Sequence, residues 1–133
     1  MTLTAFVLPV RVYYEDTDAS GVAYHANYLR WFERGRTEWL RSRGFGQEDL
    51  RLREGIAFTI ASLQIDYLKP ARLDDLLDVV TRIGELKRAS VVFEQTLRRA
   101  GSGELLARIS VRAACVDAAT FRPKALPSGF AGV

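Results

Sequence analysis

The hydrophobic positions of the chain change period once, from alternating to helical, and then return to alternation. From Phe6 to Tyr14 the pattern predicts a strand, with Val10, Val12 and Tyr14 on one face. Tyr13 and Tyr14 then point to opposite faces, one of them into a core. A polar loop, Glu15 to Gly21, follows. From about Val22 to Arg43, Tyr28, Phe32, Gly35 and Trp39 recur at spacings of four, three and four. Leu29 and Leu40 widen this stripe, while Arg30, Arg34, Glu38 and Arg41 fall mostly off it, as in an amphipathic helix. Gly44-Phe45-Gly46 ends the helix. A short second helix is predicted from about Gln47 to Arg53, closed by Gly55.

Alternation then resumes. Ile56, Phe58 and Ile60 share one parity and Leu63, Ile65 and Tyr67 the other, so a bulge is predicted near Ala61-Ser62. Leu76–Leu86 and Ser90–Arg99 alternate in turn. In the segment 105–116, Leu105, Ala107, Ile109, Val111, Ala113 and Cys115 oppose Arg108, Ser110 and Arg112. Short connections at Lys87-Arg88-Ala89 and Gly101-Ser102-Gly103 imply antiparallel hairpins. The order strand, long helix, four strands describes a two-layer α+β domain: one amphipathic helix against a five-stranded antiparallel sheet. A glycine inside a helix costs ~1 kcal/mol relative to alanine. Gly35 on the apolar stripe is therefore expected where helix and sheet approach closely.

Composition narrows the classes. The chain has 133 residues, 48% hydrophobic and 26% charged, which fits one globular domain over 1–133. No apolar run approaches the ~18 residues of a membrane span. Ala5–Val10 is too short for a signal-peptide core, so a cytoplasmic location is expected. One Cys and one His argue against an intramolecular disulfide and against a zinc site, and no metal is expected. Cys115 shares the parity of the apolar face and reads as a core residue. The net charge of +3 is weak evidence for an anionic partner.

The chemistry concentrates in Tyr13–Tyr28, YYEDTDASGVAYHANY. Glu15, Asp16 and Asp18 lie within four residues and lead into the helix. A helix N-terminus offers unpaired N–H donors and partial positive charge. It can hold a carboxylate or an oxygen that becomes negative during reaction. A carboxylate beside such donors makes a minimal hydrolytic site, the donors polarising a carbonyl and the carboxylate attacking it or activating water. An acidic turn with an N-cap would leave the same pattern. His25, the only imidazole, is a candidate to bind a substrate oxygen or move a proton.

The run VRVYYEDTDASGVAYHANYLRWFERGRTEWLR resembles the signature of the Tol–Pal-associated acyl-CoA thioesterases, in the 4-hydroxybenzoyl-CoA thioesterase-like branch of the hotdog superfamily. Asp66–Asp75, Cys115-Val116-Asp117 and Arg122–Pro127 resemble later segments of that family, so the likeness runs from about Val7 to Pro127. It implies a hotdog fold, a sheet wrapped around one long helix, and hydrolysis of a short-chain or aromatic acyl-CoA. Asp18 takes the catalytic aspartate position as nucleophile or general base, and the backbone N–H of His25 the position that polarises the carbonyl. Tyr14, Gly21, Tyr24, Asn27 and Tyr28 fall in the substrate-binding segment. The resemblance further implies a homodimer or homotetramer with sites between subunits. No cofactor is implied beyond the coenzyme A of the substrate itself. An acyl carrier protein is an alternative thioester carrier. Ala23 stands where a larger apolar residue is frequent in the family.

Coenzyme A carries phosphates, and Lys87, Arg88 and Ser90 at the hairpin are candidates to meet them, with Lys69 and Arg72 a second pair. Two rivals remain. A hotdog enzyme acting on acyl carrier protein, or an acyl-binding protein without hydrolase activity, would share this pattern. Nucleic-acid binding would use Arg30, Arg34, Arg36, Arg41 and Arg43 with Trp31 and Trp39. Glu33 and Glu38 break that field and Trp39 falls on the apolar stripe, so no nucleic-acid partner is expected.

Overall fold

The structure, a computed structural model, describes residues 5–130. Strand β1 (Phe6–Arg11) is followed by a 3-10 turn (Tyr14–Asp16), helix α1 (His25–Ser42), helix α2 (Gln47–Glu54) and strands β2 (Ile56–Tyr67), β3 (Leu76–Lys87), β4 (Ser90–Arg99) and β5 (Leu105–Asp117). The strands form one antiparallel sheet in the order β1-β3-β4-β5-β2.

Helix α1 packs across the sheet because its buried residues, Tyr28, Trp31, Phe32, Gly35, Trp39 and Leu40, form one stripe. Opposite lie Val79 of β3, Val91, Phe93 and Leu97 of β4, and Ile109, Val111 and Ala113 of β5. The predicted close approach is at Gly35, where a Cβ would lie 2.7 Å from Val79 Cγ1. Trp31 and Trp39 are both core residues, so neither is available to stack on a nucleobase. The β2–β5 register slips between Ile60 and Ser62, which is the bulge the parity switch predicts. Gly55 ends α2 with φ of 62°, a left-handed cap that glycine adopts without a steric penalty. Cys115 is buried, and burial pushes its thiol up from the ordinary value, as befits an inert core residue. No described helix is long and apolar enough to cross a membrane.

The structure corrects the sequence at the first strand. Ladder pairing stops at Arg11, and Val12 N–H donates to the Asp75 carbonyl at 2.9 Å. Asp16 Oδ2 then accepts the Tyr13 N–H at 2.8 Å, which curls the chain into the 3-10 turn. Tyr14 therefore does not share a strand face with Val10 and Val12. Neither Tyr13 nor Tyr14 enters the core; they are 60% and 82% exposed.

Candidate active site

Residues 17–23 fold into a tight hairpin in front of α1. Thr17 bridges Ala23, the Asp18 N–H donates to the Val22 carbonyl at 3.1 Å, and the Gly21 N–H returns to the Asp18 carbonyl at 3.1 Å. The turn Asp18-Ala19-Ser20-Gly21 needs a left-handed residue, and Gly21 supplies it with φ of 83°. Val22 bridges Arg72, and the Ala23 N–H donates to the Ala71 carbonyl at 2.8 Å. These bonds hold Val22 and Ala23 extended, so α1 begins at His25 and not at Val22 as the apolar pattern predicts.

Asp18 is exposed, and its carboxylate is locked in the turn. Oδ1 accepts the Ser20 N–H at 2.8 Å and the Ser20 hydroxyl as well. Oδ2 is bonded to no side chain or amide of another described residue. The Ser20 hydroxyl, then the Ser20 amide, hold the carboxyl below the usual aspartate value, and the His25 charge adds to this. Ser20 thus supplies the main stabilisation of the ionised form, where the sequence suggested the helix end.

The start of α1 leaves donors free. Tyr24 stands at the N-cap, but its side chain caps nothing. Its N–H goes to the Asp16 carbonyl at 2.8 Å, and the Asn27 N–H goes back to the Tyr24 carbonyl at 2.9 Å. The amides of His25 and Ala26 find no backbone acceptor among the described residues. They are the unpaired, partially positive donors of a helix N-terminus. The His25 ring is exposed, 4.5 Å from the Tyr24 ring and 6.1 Å from that of Tyr67 between centroids.

A groove of about 270 Å³ opens beside this helix start, lined by Ala23, His25, Tyr28, Tyr67, Leu68, Lys69 and Pro70. Tyr67, which the sequence pattern marked only as a strand residue, is central to it. Its hydroxyl donates to the His25 carbonyl at 3.0 Å, and its ring meets Tyr28 edge-on at 5.1 Å. Burial, with Tyr28 adding to it, raises the Tyr67 hydroxyl above its ordinary value, so it stays a neutral donor. Tyr28 is buried and accepts the Ala71 N–H at 2.8 Å through its hydroxyl.

The predicted residues thus divide. Asp18, Gly21, Tyr24, His25, Asn27 and Tyr28 gather at the hairpin and the first turn of α1, and Tyr14 stands exposed on the adjoining 3-10 turn. Lys87, Arg88 and Ser90 do not join them within one chain. Ser90 lies level with Ala114 and Thr59, whereas Tyr67 lies level with Ala107, seven positions along β5. At ~3.3 Å per residue that is about 23 Å. Lys69, by contrast, lines the groove itself.

Residues 20–106 match the family model of the thioesterase superfamily. Over 122 residues the chain is 50% identical to the acyl-CoA thioesterase YbgC of Haemophilus influenzae, covering 92% of this chain and 88% of the relative. It is 46% identical over 127 residues to the acyl-CoA thioester hydrolase YbgC of Escherichia coli O6:H1, covering 96% and 93%. The crystal structure of a probable thioesterase from Bartonella henselae superposes with a TM-score of 0.87 at 37% identity, covering 93% of this chain and 100% of that one. The chain belongs to the thioesterase superfamily and has its hotdog fold. Its class is that of the acyl-CoA thioester hydrolases, to which the Tyr13–Tyr28 segment pointed.

Proposed function

We propose that the chain hydrolyses the thioester of a short-chain or aromatic acyl-CoA to the free acid and coenzyme A, with Asp18 as nucleophile or general base. The observation that carries this reading is the hairpin itself. One turn presents an ionised carboxylate with an uncommitted oxygen and leads directly into a helix start with free amides. The thioester oxygen sits against those amides, His25 N–H among them. Asp18 Oδ2 attacks the carbonyl carbon, or removes a proton from a water that does. The negative charge of the tetrahedral intermediate falls on the oxygen held by the amides, where each preorganised donor is worth ~3–4 kcal/mol of barrier. The C–S bond then breaks, and the thiolate leaves and takes a proton from solvent. In the nucleophilic route a water then hydrolyses the mixed anhydride and frees Asp18; in the general-base route Asp18 returns the proton it took to solvent. The groove walled by Tyr28 and Tyr67 suits a small or flat acyl group.

The working unit is a pair of copies joined through β2. Edge strand β1 carries Pro9, which interrupts further pairing, whereas β2 runs twelve residues without proline. Ile60, Leu63 and Tyr67 along β2 are 46%, 44% and 45% exposed, an apolar row that α1 covers only in part. Antiparallel pairing of two β2 strands about their middle sets the Thr59 end of one copy beside the Tyr67 end of the other. That arrangement brings the partner copy's Lys87–Ser90 hairpin toward this copy's helix start, within reach of the phosphates of coenzyme A. The test is a panel of short, long and aromatic acyl groups, each presented on coenzyme A and on acyl carrier protein, followed by free-thiol release. Release from the short-chain or aromatic acyl-CoAs supports the reading. Binding without thiol release, or release from acyl carrier protein alone, rejects it.

A further inference from the structure

Asp16 sits two residues before the reacting carboxylate and touches three parts of the site. Its Oδ2 accepts the Tyr13 N–H and its Oδ1 the Asn27 side-chain amide, both at 2.8 Å, while its carbonyl accepts the Tyr24 N–H at 2.8 Å. Asn27 is only 7% exposed, on a helix face otherwise given to Tyr28, Trp31 and Phe32. A buried amide is costly unless bonded, so its presence in that stripe needs a partner. Asp16 is the short bond it makes; Arg30 reaches its oxygen only at 3.5 Å.

The polarity of this contact is unusual for its place. A carboxylate beside the first turn of a helix ordinarily takes the free backbone amides. Here both Asp16 oxygens are engaged elsewhere, on Tyr13 and Asn27, and the amides of His25 and Ala26 stay open. We infer that Asp16 is a positioning residue: through Asn27 it ties the hairpin that carries Asp18 to the first turn of α1 and keeps the N-terminal amides free for the substrate oxygen. This rests on Asp18 being the reacting group.

The test compares D16N, N27A and the exchange D16N/N27D with D18N, by kcat, KM and circular dichroism melting. In D16N the remaining side-chain oxygen still accepts the Tyr13 N–H, but the new amide group faces the Asn27 amide, donor against donor. The expected result is a tenfold or greater fall in kcat with KM within threefold, and an acid limb of the pH profile at its original place, because Asp18 is intact. N27A releases Asp16 Oδ1 toward the helix amides and carries the same expectation without changing charge, so it decides the matter if D16N fails to fold. The exchange restores a complementary pair, with an amide on the hairpin donating to a carboxylate on the helix, and should recover kcat to within threefold of the parent. Folded D16N or N27A with kcat within twofold of the parent overturns the inference. So does an exchange variant as impaired as D16N. If D18N keeps its turnover, it is the assignment of Asp18 that fails; if D18N is inactive while D16N and N27A are not, only the role of Asp16 fails.

Discussion

Replacing Gln95 by leucine tests how the helix is held to the sheet. Gln95 is 2% exposed at the centre of β4, and its amide is fully used. Nε2 donates to the Phe32 carbonyl and to Thr81 Oγ1, both at 2.9 Å, and Oε1 accepts Arg36 Nη1 at 3.0 Å. Q95L removes all three bonds. The Phe32 carbonyl can keep its helical bond, so its loss is small. Thr81 Oγ1, wholly buried, is left without that donor. Arg36, whose charged guanidinium is disfavoured by burial and favoured by the nearby Glu33 charge, loses one of its hydrogen bonds. A stranded buried group costs ~1–3 kcal/mol, and a lost bond to a charged group ~1.5–3. Against this, leucine gains some apolar burial, which brings the expected net cost to about 3–4 kcal/mol. A domain of this length unfolds with an entropy of about 0.28 kcal/mol/K, so the melting temperature should fall by about 11–14 °C. Thermal and urea denaturation followed by circular dichroism measure it. The double variant Q95L/T81V should lose less than the sum of the two singles, since it leaves no stranded hydroxyl. A neutral or stabilised Q95L would refute the reasoning and show that the network only fills space.

Further outcomes follow from the same contacts. The Ser20 hydroxyl lowers the Asp18 carboxyl below its ordinary value, so S20A should raise it; the acid limb of kcat/KM then moves to higher pH while the rate at pH 7 changes less than twofold, and an unmoved limb would detach Asp18 from that titration. R88E should raise KM for acyl-CoA more than it lowers kcat, and an unchanged KM would remove the hairpin from the coenzyme A path. L63K places a charge in the exposed row of β2; sedimentation should show a shift toward single chains together with lost turnover, and full activity in a monomer would exclude a site shared between copies.

Much of the fold is legible in local pattern. The β2 bulge, the hairpins at residues 87–89 and 101–103 and the Gly35 contact each follow from parity, turn residues or an otherwise costly glycine, because each reflects neighbours within a few residues or one repeated face. The start of α1 is not legible in this way. Val22 and Ala23 continue the apolar pattern, yet backbone pairing with Ala71 and Arg72, some fifty residues away, keeps them extended. The 3-10 turn at Tyr14 is hidden for a related reason: it depends on Asp16 bonding back to Tyr13. In the site, the segment from Asp18 to Tyr28 is visible from its acidic run and helix start, whereas Tyr67 carries a strand's parity and reaches the helix only through the fold. The Asp16–Asn27 bond spans eleven residues across a hairpin and has no periodic signature.

The most direct measurement is the turnover of Asp18→Asn on the best acyl-CoA, in a protein whose circular dichroism melt matches the parent. A fall in kcat of roughly 10²–10⁴ fold, the range of a lost acid–base group, is the expected result. Near-parental turnover in that folded variant would contradict the account, because the Asp18 carboxylate would then not be the group that reacts.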